Sequence, residues 1–184
     1  MLLSRRNYLG SLLFCCSVLL SASPPDAFEP RFTAKNELLR PEDYREWIFL
    51  SSSLGMTYDE DRGPSQHPNF HNVFINPPAY RAFRETGRFP ENTILVLEIL
   101  SSASGASINR QGHTQGEFRS MEAAVKNSAR FPEGWAYFSF RGSDGKLKDQ
   151  AAAFPKKDCW ACHTEHAQTD NVFTQFYPTL RRQP

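Results

Sequence analysis

The chain has 184 residues, 40% of them hydrophobic and 13% aromatic, with 21 Lys and Arg against 20 Asp and Glu for a net charge of +1. So even a balance excludes the strong basic field of a nucleic-acid binder or of a protein held on an anionic membrane surface. The length suits one domain with a proper core behind a short leader.

Residues 1–25 read as an export signal. Arg5 and Arg6 form a short basic region, Leu9 to Leu20 is mostly apolar, and Ser21, Ala22 and Ser23 supply small residues for cleavage. The apolar stretch falls short of the roughly 20 residues a membrane helix needs, and no later segment is longer, so no membrane span is expected. Ser4-Arg5-Arg6-Asn7-Tyr8-Leu9 resembles a twin-arginine signal, which leaves that route open beside general secretion. Either way the expected location is the periplasm. Cleavage removes Cys15 and Cys16, leaving Cys159 and Cys162 as the only thiols with no structural disulfide.

Residues 26–40, with Pro30, read as a flexible leader, and residues 41–184 as a single domain. Pro41-Glu42-Asp43 before Tyr44, Trp47 and Ile48 reads as a helix start, with Pro in the first turn and acids at the positive end of the dipole. Residues 51–69 are rich in Ser, Gly, Asp and Pro and read as a long loop. Phe70–Asn76 is a strand candidate. Pro78–Glu85, with Tyr80 and Phe83 three apart and Gly87 beyond, predicts a short helix closed by glycine. Thr93–Leu100 is the clearest buried strand, 101–116 a loop, and 117–128 ambiguous between helix and strand. Trp135–Phe140 has the period of two, with aromatics on both faces, of a strand covered on both sides. Residues 142–145 are a turn, and Val172–Tyr177 forms a last aromatic segment stopped by Pro178. The fold class is α+β, short helices around an antiparallel sheet.

Just before that last segment stands Cys159-Trp160-Ala161-Cys162-His163. This C-x-x-C-H pattern attaches a c-type haem: two thiols form thioethers to the porphyrin vinyl groups, and the histidine offers an imidazole nitrogen to the iron. A redox C-x-x-C and half of a zinc site are the other readings. A zinc site wants two more ligands at suitable spacing, and a thioredoxin-like motif belongs near a βαβ pattern. Cys159, Cys162 and His163 are therefore the candidate cofactor-binding residues for one covalently attached haem c, with His163 as the iron ligand.

Several stretches together resemble the cytochrome P-460 family, which includes the cytochromes c′-beta. They are Tyr44-Arg45-Glu46-Trp47, Leu54-Gly55-Met56, Asn72 to Pro77, Thr86 to Pro90, Gly134 to Phe138, the haem motif, and Asp170 to Pro178. The resemblance implies a usually dimeric antiparallel sheet with haem on one face and a five-coordinate iron open on its distal side. It also implies one of two chemistries. Cytochromes P-460 oxidise hydroxylamine with a lysine cross-linked to the haem, whereas cytochromes c′-beta lack that bond, carry a phenylalanine-capped distal side and bind nitric oxide. The strand that would hold the lysine is Thr93–Ile99 here and contains none; Lys126 is the only lysine between Lys35 and Lys146.

The expected protein is thus an exported monohaem cytochrome binding nitric oxide or a related small nitrogen species. The alternatives are a hydroxylamine-oxidising enzyme or a simple electron-transfer cytochrome with a partner protein. Met56 and Met121 are the candidate sixth ligands for an electron carrier, and His67, His71 and His113 read as surface residues. Glu98, flanked by apolar residues, is a weak catalytic candidate, since a desolvated carboxylate beside haem could move protons; the other readings are a strand-edge charge facing solvent and a partner for an arginine. Arg45 is a candidate partner for a haem propionate. Phe74, Phe138 and Phe140 are candidates for the pocket wall.

Overall fold

The computed structural model describes residues 28–181 apart from 58–62, 64, 106 and 109, so the export signal lies outside the described residues. Its centre is a five-stranded antiparallel sheet of sequential neighbours: β2 (Ile48–Leu54), β3 (Asn69–Ile75), β4 (Ile94–Ala103), β5 (Thr114–Lys126) and β6 (Trp135–Ser139). A second, two-stranded sheet pairs β1 (Leu38–Leu39) with β7 (Gln150–Ala151). Two α-helices, α1 (Pro77–Thr86) and α2 (Trp160–His166), and three short 3-10 turns complete the described elements. The α+β class and the antiparallel sheet match the expectation.

The chain departs from the predicted elements where a neighbouring strand supplies pairing that local sequence does not show. Tyr44–Glu46 is a single 3-10 turn, and the chain then enters β2, so the Ser-rich start of the predicted loop is strand. Serines are tolerated there because β3 supplies their ladder partners, Ser51 opposite Val73 and Ser53 opposite His71. The ambiguous segment is strand, and β4 and β5 extend into the predicted loop until only residues 104–113 join them. The expected leader is built in from Phe28 onward: Leu38 is fully buried, and Phe32 packs against Phe131 and Phe138. Helix α1 ends as read, with Gly87 at φ 73° and its N–H donating to the Phe83 carbonyl at 2.8 Å. A left-handed residue of this kind costs glycine nothing.

Alternation along the strands sends side chains to two faces, and each face has its own core. One face carries Phe74, Val96, Met121, Ala123, Val125, Ala136 and Phe138, covered by Tyr44, Trp47, Phe131 and the small sheet. The other carries Val73, Ile75, Leu95, Trp135 and Tyr137. Helix α1 and the stacked rings of Phe83 and Phe89, centroids 4.2 Å apart, cover one end of that second face. The segment from Cys159 to Leu180 lies over the rest without filling it.

Candidate functional site

Between the second face and the C-terminal segment lies a cavity of about 460 Å³. That is within the range of roughly 300–1,000 Å³ usual for cofactor sites. Its floor is one row-and-column patch of the sheet: Ser51 and Ser53 of β2, His71 and Val73 of β3, Leu95, Leu97 and Ile99 of β4, Glu122 and Ala124 of β5, and Tyr137 of β6. Its roof holds Cys159, Cys162, His163, Phe173, Phe176 and Tyr177.

The motif residues converge because Cys159 caps α2 and Cys162 and His163 follow three and four positions later, the spacing that places side chains on one side of a helix. His163 is fixed on three sides. Its ring lies 4.2 Å from Tyr137 and 4.4 Å from Phe173, and its Nδ1 is 2.8 Å from the Asn171 carbonyl. An Nδ1–H donating to that carbonyl leaves Nε2 as the nitrogen with a free lone pair. Burial lowers the His163 pKa and the bond to Asn171 opposes it. The Tyr137 hydroxyl donates to the same carbonyl at 3.0 Å, and the Asn171 side-chain amide donates to Thr164 at 2.6 Å. A neutral, oriented imidazole is thus built into the cavity wall beside two thiols.

The two competing readings of the motif fare differently against this geometry. A redox C-x-x-C works through a lowered thiol pKa. Here burial, followed by the nearby Glu122, pushes Cys159 up to about 11. No group of three or more His, Cys, Asp or Glu able to hold a metal ion occurs among the described residues. A large apolar cavity with two thiols and one imidazole at its wall fits a porphyrin better than a bare ion.

The other candidates fall on both sides of the sheet. Glu98 faces away from the cavity. It accepts hydrogen bonds from Tyr44 at 2.7 Å and Asn72 at 3.2 Å and is paired with Arg45. These donors hold its carboxyl below the usual range although burial pushes the other way. The proton-moving environment expected of Glu98 belongs instead to Glu122, one strand over, where β4 turns Leu97 and not Glu98 towards the cavity. Burial raises the Glu122 pKa, partly offset by Arg141. Arg45 is committed to Glu98, and so is not turned to the haem cavity.

Met121 is fully buried on the far face, whereas Met56 lines the cavity. His67 and His113 are exposed as read, but His71 is half-buried in the cavity floor, and burial lowers its pKa. Phe74 and Phe140 belong to the far core; Phe138 touches the cavity, yet its side chain packs in that same far core. The phenylalanines of the cavity side are Phe154, Phe173 and Phe176. Among the described residues no lysine lines the cavity. Lys126 lies beyond its end, bonded to the Phe89 carbonyl at 2.9 Å and to Asp170 at 2.6 Å.

A five-stranded antiparallel sheet with a C-x-x-C-H helix over an apolar cavity defines a β-sheet c-type cytochrome, a class apart from the small helical ones. The family described as Cytochrome P460 matches residues 41–174, which is most of the chain, and the chain belongs to that family. It is a c-type haem protein. No curated protein matches it. No helix among the described residues is long and apolar enough to cross a membrane.

Proposed function

We propose that the protein is an exported monohaem cytochrome whose iron is held on one side by His163 and left open on the other to bind nitric oxide or a related small nitrogen species. Cys159 and Cys162 supply the two thioethers. The observation that carries the reading is the oriented imidazole of His163 at the wall of a cavity that no lysine among the described residues lines. When bound, the haem supplies the iron that takes the ligand. The chain's own part is to fix the imidazole, to keep water out with Val73, Leu95, Leu97 and Ile99, and to leave volume beyond them.

One observation favours the hydroxylamine-oxidising alternative. Glu122 offers the cavity a carboxyl whose burial favours the protonated form, and a carboxyl so placed is a candidate to take up or release a proton during oxidation. Met56 is the only methionine of the two candidates in reach of an electron-carrier reading.

An absorption spectrum of the ferrous protein separates the readings. High-spin iron that shifts on nitric oxide addition supports the open site. A low-spin ferrous spectrum abolished by Met56→Ala supports the electron carrier. A haem peptide carrying a lysine-containing segment, found on peptide mapping, restores the enzyme. Acid–acetone extraction tests the thioethers, and mass spectrometry of a periplasmic extract tests cleavage between about residues 22 and 28, where small residues follow the apolar stretch. Light scattering tests the homodimer that the family resemblance implies.

A further inference from the structure

The turn that carries Asn171 is itself anchored from outside the cavity. Thr169 and Val172 form a two-way backbone bridge, with Val172 N–H donating to the Thr169 carbonyl at 2.9 Å. Between them Asp170 and Asn171 both take left-handed backbone conformations, φ 47° and 58°. This is the positive-φ pair of a type I′ turn, and Asn and Asp are the non-glycine residues that best tolerate it. The Asp170 carboxylate is gripped by two donors from the end of the sheet, Lys126 Nζ at 2.6 Å and Trp135 Nε1 at 3.2 Å. Lys126 ends β5, Trp135 begins β6, and the two residues are register partners. Lys126 is half-buried and also donates to the Phe89 carbonyl, which fixes it from a third element.

We propose that the Lys126–Asp170 ion pair, with Trp135, is a positioning device that sets how strongly His163 binds iron, acting through the Asn171 carbonyl. It rests on the reading of His163 as the iron ligand. The chain of contacts is continuous: Lys126 and Trp135 hold Asp170, Asp170 fixes the turn, the turn aims the Asn171 carbonyl, and the carbonyl accepts from His163 Nδ1. A stronger hydrogen bond at Nδ1 puts more electron density on Nε2 and makes it a better donor to the metal. Tyr137 enters with the opposite sign. Its hydroxyl shares the same carbonyl, and an oxygen accepting from two donors is a weaker acceptor for each. The pair Lys126–Asp170 therefore strengthens the bond to iron, and Tyr137 moderates it.

The test is resonance Raman spectroscopy of the ferrous holoprotein, reading the iron–histidine stretching band. Lys126→Met and Asp170→Asn are both expected to shift the band to lower frequency, Lys126→Arg to restore it, and Tyr137→Phe to shift it to higher frequency while keeping the ring that packs on His163. A purely electrostatic effect of charge removal would move the first two in opposite directions, since one deletes a cation and the other an anion. A general loosening of the fold would move the Tyr137→Phe band downward with the others. Either pattern overturns the proposal, as does a band unmoved by both Lys126→Met and Asp170→Asn. Should Lys126→Met fail to accumulate, Asp170→Asn, which preserves shape, decides alone. A wild-type protein with no iron–histidine band at all overturns the open five-coordinate reading, since only such ferrous iron gives the band, and this proposal with it; a band present but insensitive overturns only the positioning role.

Discussion

The two faces of the sheet carry one acid each, Glu98 buried and Glu122 half-buried, and the acids are treated in opposite ways. On the far face Glu98 meets Tyr44, Arg45 and Asn72, and Asn72 is in turn bonded to Gln115 at 3.1 Å. Around this polar cluster the aromatic core packs tightly, Phe138 and Phe140 being fully buried. On the cavity face the half-buried Glu122 and His71 look onto about 460 Å³ of space between apolar walls. Buried polar groups in a settled core are nearly always hydrogen-bonded. A face with unfilled space between apolar walls is one whose packing is completed by something other than the chain, and a porphyrin meets that need.

The comparison breaks most visibly at the roof of the cavity. Cys159→Ala with Cys162→Ala is expected to remove covalent haem altogether, so that all haem passes into acid–acetone. Single replacements should leave one thioether and a shifted pyridine haemochrome band. Haem that extracts fully from the mature wild-type protein refutes the assignment of the cavity.

On the far face the largest effect falls on stability and leaves the spectrum alone. Phe138→Ala removes a fully buried ring and is expected to cost about 3–5 kcal/mol, measured by denaturant unfolding. The ferrous spectrum of the folded fraction should stay that of the wild type. A changed spectrum with little loss of stability would mean that Phe138 serves the cavity after all.

Glu98→Gln should cost about 1–3 kcal/mol at neutral pH, because Arg45 loses its charge partner and Tyr44 its best acceptor. Its folded pKa is lowered, so its contribution is present above the unfolded value and is lost as pH falls through the folded one. The substitution should therefore flatten the acid limb of the stability profile. Wild-type and variant profiles that stay parallel through that limb would show that Glu98 carries no such linkage.

How far the sequence could be read depended on whether a residue's setting is local. The haem motif, the strand Thr93–Leu100 and the glycine-closed helix before Gly87 are each specified by neighbours in sequence, and each stands where expected. The choice between Glu98 and Glu122 is not local. Both sit in mixed apolar runs, and which one faces the cavity depends on strand parity and on the β4–β5 pairing that sets Leu97 against Glu122. His71 was accessible in part, since it alternates with Val73 and Ile75 and so shares their face. The loop-like composition of residues 51–54 hid β2, whose pairing comes entirely from β3.

The finest distinction lies in Glu122 itself. Its folded pKa is raised by burial, so the folded state binds the proton more tightly than the unfolded one. Stability from this group is then complete below the unfolded pKa and declines as pH rises through the folded value, the reverse of Glu98. Glu122→Gln keeps the shape, removes the charge that must be desolvated, and is expected to leave stability unchanged or raise it by under about 1 kcal/mol at neutral pH. The same variant divides the functional readings. Nitric oxide brings no proton to the site, so its affinity should be unchanged within a factor of about two if the protein is a nitric oxide binder; a factor of two is under about 0.5 kcal/mol. Hydroxylamine oxidation releases protons together with electrons, so a reaction that relied on this carboxyl would slow by roughly 100-fold or more. Titration of the ferrous variant with nitric oxide, beside an assay of hydroxylamine-dependent reduction of an electron acceptor, reads both. Wild-type hydroxylamine oxidation that collapses in Glu122→Gln would overturn the ligand-binding reading and assign this face of the sheet to catalysis.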